Sequence, residues 1–559
     1  MIVAGLKLTG RGGLALIRNG RIEFASTLSK VDAEASVEAT VDRVTETLDA
    51  IRRTVDAVDV WVVDGGPGTT DGRLRLGPAD APVELAVAGH LDTHPPVVAE
   101  GTLTVGGTAV PYVSYAHLAG HVAAAYCTSP FARDGAGATV LVWDTDSFPR
   151  LARVDGRGRS ESRGELFPIT GMVLDLAARM LGPAGQGREP APGAAGAALA
   201  DLAGSGTVRT EVTSLVGRLV DEHFEADTAA AKEYRASVLG RGRSVEPSVW
   251  HTTEFLTDLR RAADAHGVDA ADLAAGLQRF LGGLLAERLA DLLAGDGPVD
   301  LCFTGSAAGS PALTAALREH PLVRRMWVPP YPDGAAGAVG AAALGLGDGL
   351  RWLPWDLRLG PLPGRTPHVP PGWSTAPCRP EELARLIHRT GQPAVVLRGR
   401  LYAGPGPVGS RAILAPATAP ATRDLLNRLA DRPAYRRAAA LCLRDRAATV
   451  FRPDAADPHA GYDKQVVPGW RSRLPVVTRA DGTARVSAAD DDAVLRTILR
   501  EYRTWSDVPV LAVLGEVDVA PGVLDTVEAA LRWGGVELVW ADGVLHRRVH
   551  PGGQRRSTK

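Results

Sequence analysis

The stretch Ser114-Tyr115-Ala116-His117-Leu118-Ala119-Gly120-His121-Val122-Ala123-Ala124-Ala125-Tyr126-Cys127-Thr128-Ser129-Pro130-Phe131 decides how the chain is read. Small apolar residues fill Ala119 to Ala125 with no breaker but Gly120, so the pattern predicts a helix. Residues four apart share a helix face, so His117 and His121 point the same way. Two imidazoles placed like that can grip one metal ion if a carboxylate joins them. The best placed carboxylate is Asp144, which closes the apolar strand Ala138-Thr139-Val140-Leu141-Val142-Trp143. The spacing alone also fits two unrelated histidines on a small-residue helix. His90 and His94 in Gly89-His90-Leu91-Asp92-Thr93-His94-Pro95 repeat it.

Upstream, Met1 to Leu28 reads as three strands, with Gly10-Arg11-Gly12-Gly13 and Asn19-Gly20 as turns. A helical pattern covers Ala35 to Val55. The strand Val58 to Val63 then runs into Asp64-Gly65-Gly66-Pro67-Gly68, a loop that suits either a ligand edge or a plain surface turn. Downstream of the histidines a second meander begins near residue 138, with Asp144-Thr145-Asp146 as its first turn. Two meander starts, near residues 1 and 138, suggest two related α/β lobes with a cleft between them.

Gly182 to Gly206 reads as a loose Gly/Pro/Ala loop. A long amphipathic helix is expected from Asp269 to Leu293, carrying Leu273, Leu277, Phe280, Leu284 and Leu292. The strand Asp300-Leu301-Cys302-Phe303 opens into Thr304-Gly305-Ser306-Ala307-Ala308-Gly309-Ser310, then a helix follows Pro311. Small residues there would let backbone amides approach a phosphate, although a tight βα turn needs the same residues. The Pro-rich segment 353–380 reads as an interdomain linker, beyond which strands and helices restart over 381–551; the tail 552–559 reads as disordered.

At 559 residues the chain is too long for one core. A net charge of −2 offers no electrostatic footprint for nucleic acid. No apolar run is long enough to span a membrane, and no signal peptide is legible, since Lys7 interrupts the apolar start. The four cysteines, Cys127, Cys302, Cys378 and Cys442, are far apart and form no framework, which points to a reducing cytoplasm.

Several segments, in the same order along almost the whole chain, resemble the O-carbamoyltransferases of antibiotic and nodulation-factor biosynthesis. They are His117-Leu118-Ala119-Gly120-His121 with Thr128-Ser129-Pro130-Phe131, then Leu273-Ala274-Ala275-Gly276-Leu277-Gln278 and Leu301-Cys302-Phe303-Thr304-Gly305. Val328-Pro329-Pro330, Gly340-Ala341-Ala342-Ala343-Leu344, Gly409-Ser410-Arg411-Ala412-Ile413-Leu414 and Asp481-Gly482-Thr483-Ala484-Arg485-Val486 follow.

The resemblance implies an α/β chain: a two-lobed actin-like (ASKHA) domain over 1–352, with lobes about 1–137 and 138–352, followed by a YrdC-like α/β domain. It implies a divalent metal, iron in this family, on His117, His121, Asp144 and Asp333, with nucleotide at Gly305 and Ser306. In the second domain it implies Arg411, Arg485 and Asp481 as catalytic residues, and Arg432, Arg436 and Thr483 as substrate-binding ones. It implies carbamoyl phosphate and ATP with Mg as substrates, joined into a carbamoyl adenylate, and a small-molecule hydroxyl or amine acceptor. A homodimer or a heteromer with an active homologue is compatible with it.

The chain departs from the family pattern in places. Thr9-Gly10-Arg11-Gly12 stands where the family has a His-Asp pair whose His acts as base on the acceptor. Gly334 falls where an aspartate is expected, with Asp333 one residue early. Tyr402 and Gly406 replace a glutamate and an arginine, and Val513-Leu514-Gly515-Glu516-Val517 replaces an Asn-Thr-Ser-Phe-Asn loop. General-base assistance is worth about 10²–10⁴-fold. The sequence therefore leaves two readings open: a divergent transferase, or a catalytically degenerate paralogue that supports an active partner.

Overall fold

The turn Asn19-Gly20 takes positive φ at both residues, 50° and 74°. This is the twist a two-residue hairpin demands, and the ladder closes at Arg18 against Arg21. It joins β2 (Gly13–Arg18) to β3 (Arg21–Ser26), and β2 pairs antiparallel with β1 (Ile2–Lys7). Parallel strands β4 (Val60–Asp64) and β8 (Thr108–Tyr115) extend the sheet beyond β1, with β7 (Ala99–Val105) as its antiparallel edge. The short hairpin of β5 (Arg73–Leu76) and β6 (Val83–Ala86) stands apart from this sheet.

The coordinates are a computed structural model. It describes residues 1–9, 12–26, 44–46, 48–49, 54–65, 72–76, 83–90, 99–182, 195–239, 246–330, 334–347, 349–360, 369–401, 409, 411–452, 462–489, 492–515, 518–520 and 522–549. Most of the helix expected over 35–55, the Gly10-Arg11 turn, His94, Asp333, the Tyr402–Gly406 loop, Glu516-Val517 and the tail 552–559 lie outside these residues. Two units divide at Pro361 and Leu362.

Within the first unit the lobe order repeats. A meander of β9 (Ala138–Val142), β10 (Arg150–Val154) and β11 (Ser160–Glu165) is extended by parallel strands β12 (Val299–Thr304) and β13 (Val323–Trp327). The sheet orders are β3-β2-β1-β4-β8-β7 and β11-β10-β9-β12-β13. This duplication is that of a two-lobed actin-like domain. The central strands are buried on both faces, as parallel strands between helical layers must be.

Two helices without an amphipathic stripe lie against each other at the centre of this unit. The histidine helix, His117–Cys127, is buried along its full length. The Gly/Ala helix, Gly334–Leu344, is apolar all round. Their backbones approach so closely that a Cβ on Gly340 would sit 1.8 Å from the Gly120 carbonyl oxygen. A Cβ on Gly5 of β1 would sit 2.0 Å from the Ala338 carbonyl oxygen. Small residues are therefore a steric requirement here.

One expectation changes. The stretch expected to be a loose loop over 182–206 contains the helix Ala195–Ala203, whose Ala195, Ala198, Leu199 and Leu202 are buried. It packs on the long helix Ala270–Leu292, because alanine carries high helix propensity and its small side chain lets helices approach. Within the Pro-rich segment 353–380, residues 353–360 and 369–380 are described. Pro354 and Leu359 carbonyls accept hydrogen bonds from Ile22 and Ala25 of β3, and β14 (Trp373–Pro377) joins the second unit's sheet.

That second sheet adds β15 (Ala394–Leu397), β16 (Arg411–Pro416), β17 (Ala439–Cys442), β18 (Phe451–Arg452), β19 (Tyr462–Val466), β20 (Thr483–Ala488), β21 (Val510–Leu514), β22 (Leu538–Ala541) and β23 (Val544–Arg548). Its order is β14-β23-β22-β15-β16-β21-β17-β20-β19-β18. The four cysteines are free and buried. Among the described residues no helix is long and apolar enough to cross a membrane.

Gly340→Val is expected to lower the melting temperature of the first unit, as overpacking of this kind costs at least about 1–3 kcal/mol. Gly283→Val, on the long helix where an added Cβ meets nothing within 4 Å, serves as the control. Equal melting of the two variants in differential scanning calorimetry would refute the steric requirement.

Candidate metal centre between the lobes

Parallel strands deliver their following residues to one edge of each sheet, and here the two edges meet. Asp64 ends β4, His117 follows β8 by two residues, Asp144 follows β9, and Gly305-Ser306 follow β12. The carboxyl ends of parallel strands are where α/β folds place ligands.

His117 and His121 share a face of their helix as the spacing requires. His121 Nε2 lies 3.2 Å from His117 Nε2 and 3.5 Å from Asp144 Oδ2, while His117 Nε2 lies 3.3 Å from the same oxygen. Donors bound about 2.1 Å from a first-row cation are separated by roughly 3.0–3.4 Å in octahedral or tetrahedral geometry. The triangle has that size. Its corners are two imidazole nitrogens and one carboxylate oxygen, a donor set suited to zinc, iron or manganese. His121 Nδ1 is buried and finds no hydrogen-bond partner.

His117 Nδ1 meets Asp64 Oδ2 at 2.6 Å, and both side chains are almost wholly buried. A carboxylate on the far nitrogen fixes the tautomer that presents Nε2 as a lone pair, as in metal-bound histidines generally. Asp64 is itself held between the two central helices. A Cβ on Gly337 would sit 3.0 Å from Oδ2, and one on Gly120 would sit 3.2 Å from Oδ1.

Asp144 is oriented by the Ser306 amide, which donates to its Oδ1 at 2.8 Å. Gly305 makes this possible by turning at φ 94°, where a Cβ would strike the Trp143 carbonyl oxygen at 2.4 Å. Gly305 and Ser306, expected to bind nucleotide, thus lie against a metal-centre carboxylate. The hydroxyls of Thr304, Ser306 and Ser310 are buried there without a hydrogen-bond partner. Burying a hydroxyl unpaired costs about 1–3 kcal/mol, which an oxygen-rich ligand would offset.

Three residues of this centre were not among the sequence candidates: Asp64, His90 and Asp146. Each carried a signal. Asp64 closes an apolar strand before a glycine-rich loop, His90 belongs to the second HxxxH, and Asp146 shares a turn with Asp144. His90 stacks on His117, with ring centroids 4.9 Å apart and planes 9° from parallel. Its Nε2 lies 3.3 Å from Asp146 Oδ1.

Electrostatics follow from this crowding. Burial disfavours a charged His117, and Lys7 does so too, but the Asp64 carboxylate and the hydrogen bonds to Asp144 and Asp64 prevail, holding its pKa up at about 10. Burial also disfavours charge on Asp144, yet His121 and His117 keep it well below the ordinary carboxylate range. For Asp146 burial is again opposed, chiefly by His90, and the pKa falls to about 2. Without a metal, the protein therefore keeps a proton on His117.

In the second unit each candidate has its own partners. Arg411 opens β16, is buried, and donates to the carbonyls of Asp525 and Gly399 at 3.3 and 3.4 Å. Arg485 lies on β20, three strand positions away, opposite Asp463 of β19. Asp481 is exposed, and its Oδ1 accepts from the Thr483 amide at 2.8 Å and the Thr483 hydroxyl at 2.7 Å. Arg432 donates to Asp518 at 2.7 Å and to Asn427 at 2.9 Å, and Arg436 reaches the same aspartate at 3.8 Å. The structure brings together Arg432 with Arg436, and Asp481 with Thr483.

The raised His117 pKa sets a pH dependence. Its folded-state value lies above the unfolded 6.5, so the stabilisation is fully present below about pH 6.5 and is lost as pH rises toward about 10. The melting temperature of metal-free protein is expected to fall across that window, and Asp64→Asn is expected to flatten the fall. A flat wild-type profile would contradict the assigned charge state.

A family model described as the carbamoyltransferase N-terminus matches residues 96–343, and one described as the carbamoyltransferase C-terminus matches residues 384–514. The chain is 33% identical to Nodulation protein U of Sinorhizobium fredii, over 98% of this chain and 99% of that protein. It is 33% identical to Nodulation protein U of Rhizobium tropici, over 98% and 96%. It is 24% identical to a 3'-hydroxymethylcephem-O-carbamoyltransferase of Amycolatopsis lactamdurans, over 88% of each. With both family models matched in order and full-length similarity to these relatives, the chain belongs to the carbamoyltransferase family.

Proposed function

We propose that the chain is an ATP-dependent carbamoyltransferase of natural-product biosynthesis, using carbamoyl phosphate and a small-molecule hydroxyl or amine acceptor. The observation that carries this reading is the His117–His121–Asp144 triangle, whose edges of 3.2–3.5 Å suit a divalent cation at the meeting of the two lobes. Family membership supplies the reaction class. In the proposed sequence, water cleaves carbamoyl phosphate to phosphate and carbamate, and the carbamate oxygen attacks the α-phosphorus of ATP, giving carbamoyl adenylate and releasing pyrophosphate. The acceptor then attacks the carbamoyl carbon, loses its proton, and AMP departs.

His117, His121 and Asp144 would hold the metal, with Asp64 fixing the His117 tautomer; Asp333 remains a proposed fourth ligand. A divalent cation there would neutralise phosphate charge and orient the adenylate. The Gly305-Ser306 backbone and the unpaired hydroxyls of Thr304, Ser306 and Ser310 would meet nucleotide oxygens. Arg411, Arg485, Arg432, Arg436, Asp481 and Thr483 would serve carbamoyl phosphate and ATP with Mg in the second unit. Guanidinium forks suit those oxygens.

The Thr9-Gly10-Arg11-Gly12 turn, with no imidazole or carboxylate, favours the second reading: a degenerate paralogue assisting an active homologue. One assay separates the two. Purified protein with carbamoyl phosphate, ATP and Mg is expected to release pyrophosphate in a carbamoyl-phosphate-dependent manner. Amine and hydroxyl acceptors are then screened for AMP release. His121→Ala is expected to lose bound metal and to lower acceptor-dependent AMP release at least about 10²-fold, while adenylate formation in the second unit persists. No carbamoyl-phosphate-dependent pyrophosphate release from wild-type protein would overturn the enzymatic reading in favour of the paralogue.

A further inference from the structure

His90 is 7% exposed, and neither of its ring nitrogens finds a hydrogen-bond partner. Asp146 Oδ1, buried and also without a hydrogen bond, lies 3.3 Å from His90 Nε2. The two atoms stand at ion-pair distance without a hydrogen bond between them, and His90 Nδ1 has no hydrogen-bond partner, so a cation held by Nε2 and Oδ1 would satisfy this pair. His90, His117 and Asp146 bring donor atoms within 4.8 Å of one another, as do His117, His121 and Asp144. The two sets share His117.

One cation cannot satisfy both sets. His117 Nδ1 is taken by Asp64, which leaves Nε2 as its single lone pair, and Nε2 already stands at a corner of the His121–Asp144 triangle. An imidazole binds metal in the plane of its ring. The rings of His90 and His117 are stacked 9° from parallel, with centroids 4.9 Å apart. Stacked rings come no closer than roughly 3.5 Å, so an ion in the plane of one lies well outside the plane of the other.

We propose that His90 and Asp146 hold a second divalent cation beside the one on His117, His121 and Asp144. The stacking sets the two ions on the order of 4 Å apart, near the spacing of two-metal sites that clamp phosphate oxygens. The second position has only two protein donors, so several of its coordination places stay open to oxygens of a phosphate-bearing ligand or to water. Access agrees with this. The Asp146 side chain is 26% exposed, against 13% for Asp144 and 1% for Asp64. The inner ion would be resident, and the outer one would exchange.

This inference rests on the metal reading of the first triangle, and the test separates the two. Metal-free full-length protein is titrated with Mn²⁺ alone, and bound ion is counted by electron paramagnetic resonance of the free ion. Wild type is expected to bind two Mn²⁺ per chain, with exchange-coupled lines once both places fill. The double variant His90→Ala/Asp146→Asn is expected to bind one, with no coupling and unchanged affinity at the tighter place. His121→Ala is expected to weaken the tighter place at least about tenfold. Circular dichroism melting of each metal-free variant reports folding. His90→Gln alone, which keeps bulk and polarity, replaces the double variant if the latter does not fold. One ion per wild-type chain, or two uncoupled ions unaffected by the His90 variants, overturns the second position but leaves the first. Failure to bind any Mn²⁺ overturns both.

Discussion

Three carboxylates and three imidazoles are brought together where two sheets meet, and this placement of charge governs the rest of the first unit. Asp64 and His117 are almost fully buried in contact, and Asp144 and Asp146 stand on the other side of the imidazole stack. Like charges in a dry site are tolerated only when positive charge is supplied beside them. A protonated His117 can supply part of it; a divalent cation on His117, His121 and Asp144 would supply more. A proton and a metal ion would then compete for the same nitrogen.

That charge cluster depends on a packing constraint. Asp64 can reach His117 only because Gly120 and Gly337 leave room beside it, and the two central helices can touch only because Gly340 lies over the Gly120 backbone. The same small residues that bring the helices together thus admit the carboxylate that orients His117. The second lobe contributes through a backbone amide: Gly305 turns so that Ser306 can donate to Asp144. Its meander and parallel strands repeat those of the first lobe, so each lobe presents strand ends to the other.

Much of this was legible in the residues. The HxxxH on a small-residue segment became a helix with both rings on one face, Asp144 came to the strand end, and the meander starts at residues 1 and 138 became equivalent lobes. The run 195–203 misled because alanine-rich sequence lacks a periodic apolar stripe; its helix is decided by what packs on it. Asp64, His90 and Asp146 were visible only as weak local signals. Their roles rest on contacts spanning 27 to 56 residues of sequence, which no local pattern encodes.

By itself, the sequence determined the elements, their order, the family resemblance, and which two histidines share a helix face, because each follows from short-range periodicity or from ordered segments. Tertiary structure alone decided which carboxylate fixes His117 and that His90 stacks on it. Those outcomes depend on how sheets and helices from distant parts of the chain approach within hydrogen-bonding distance. Only side-chain volume at the crossing of two glycine-bearing helices could set that approach.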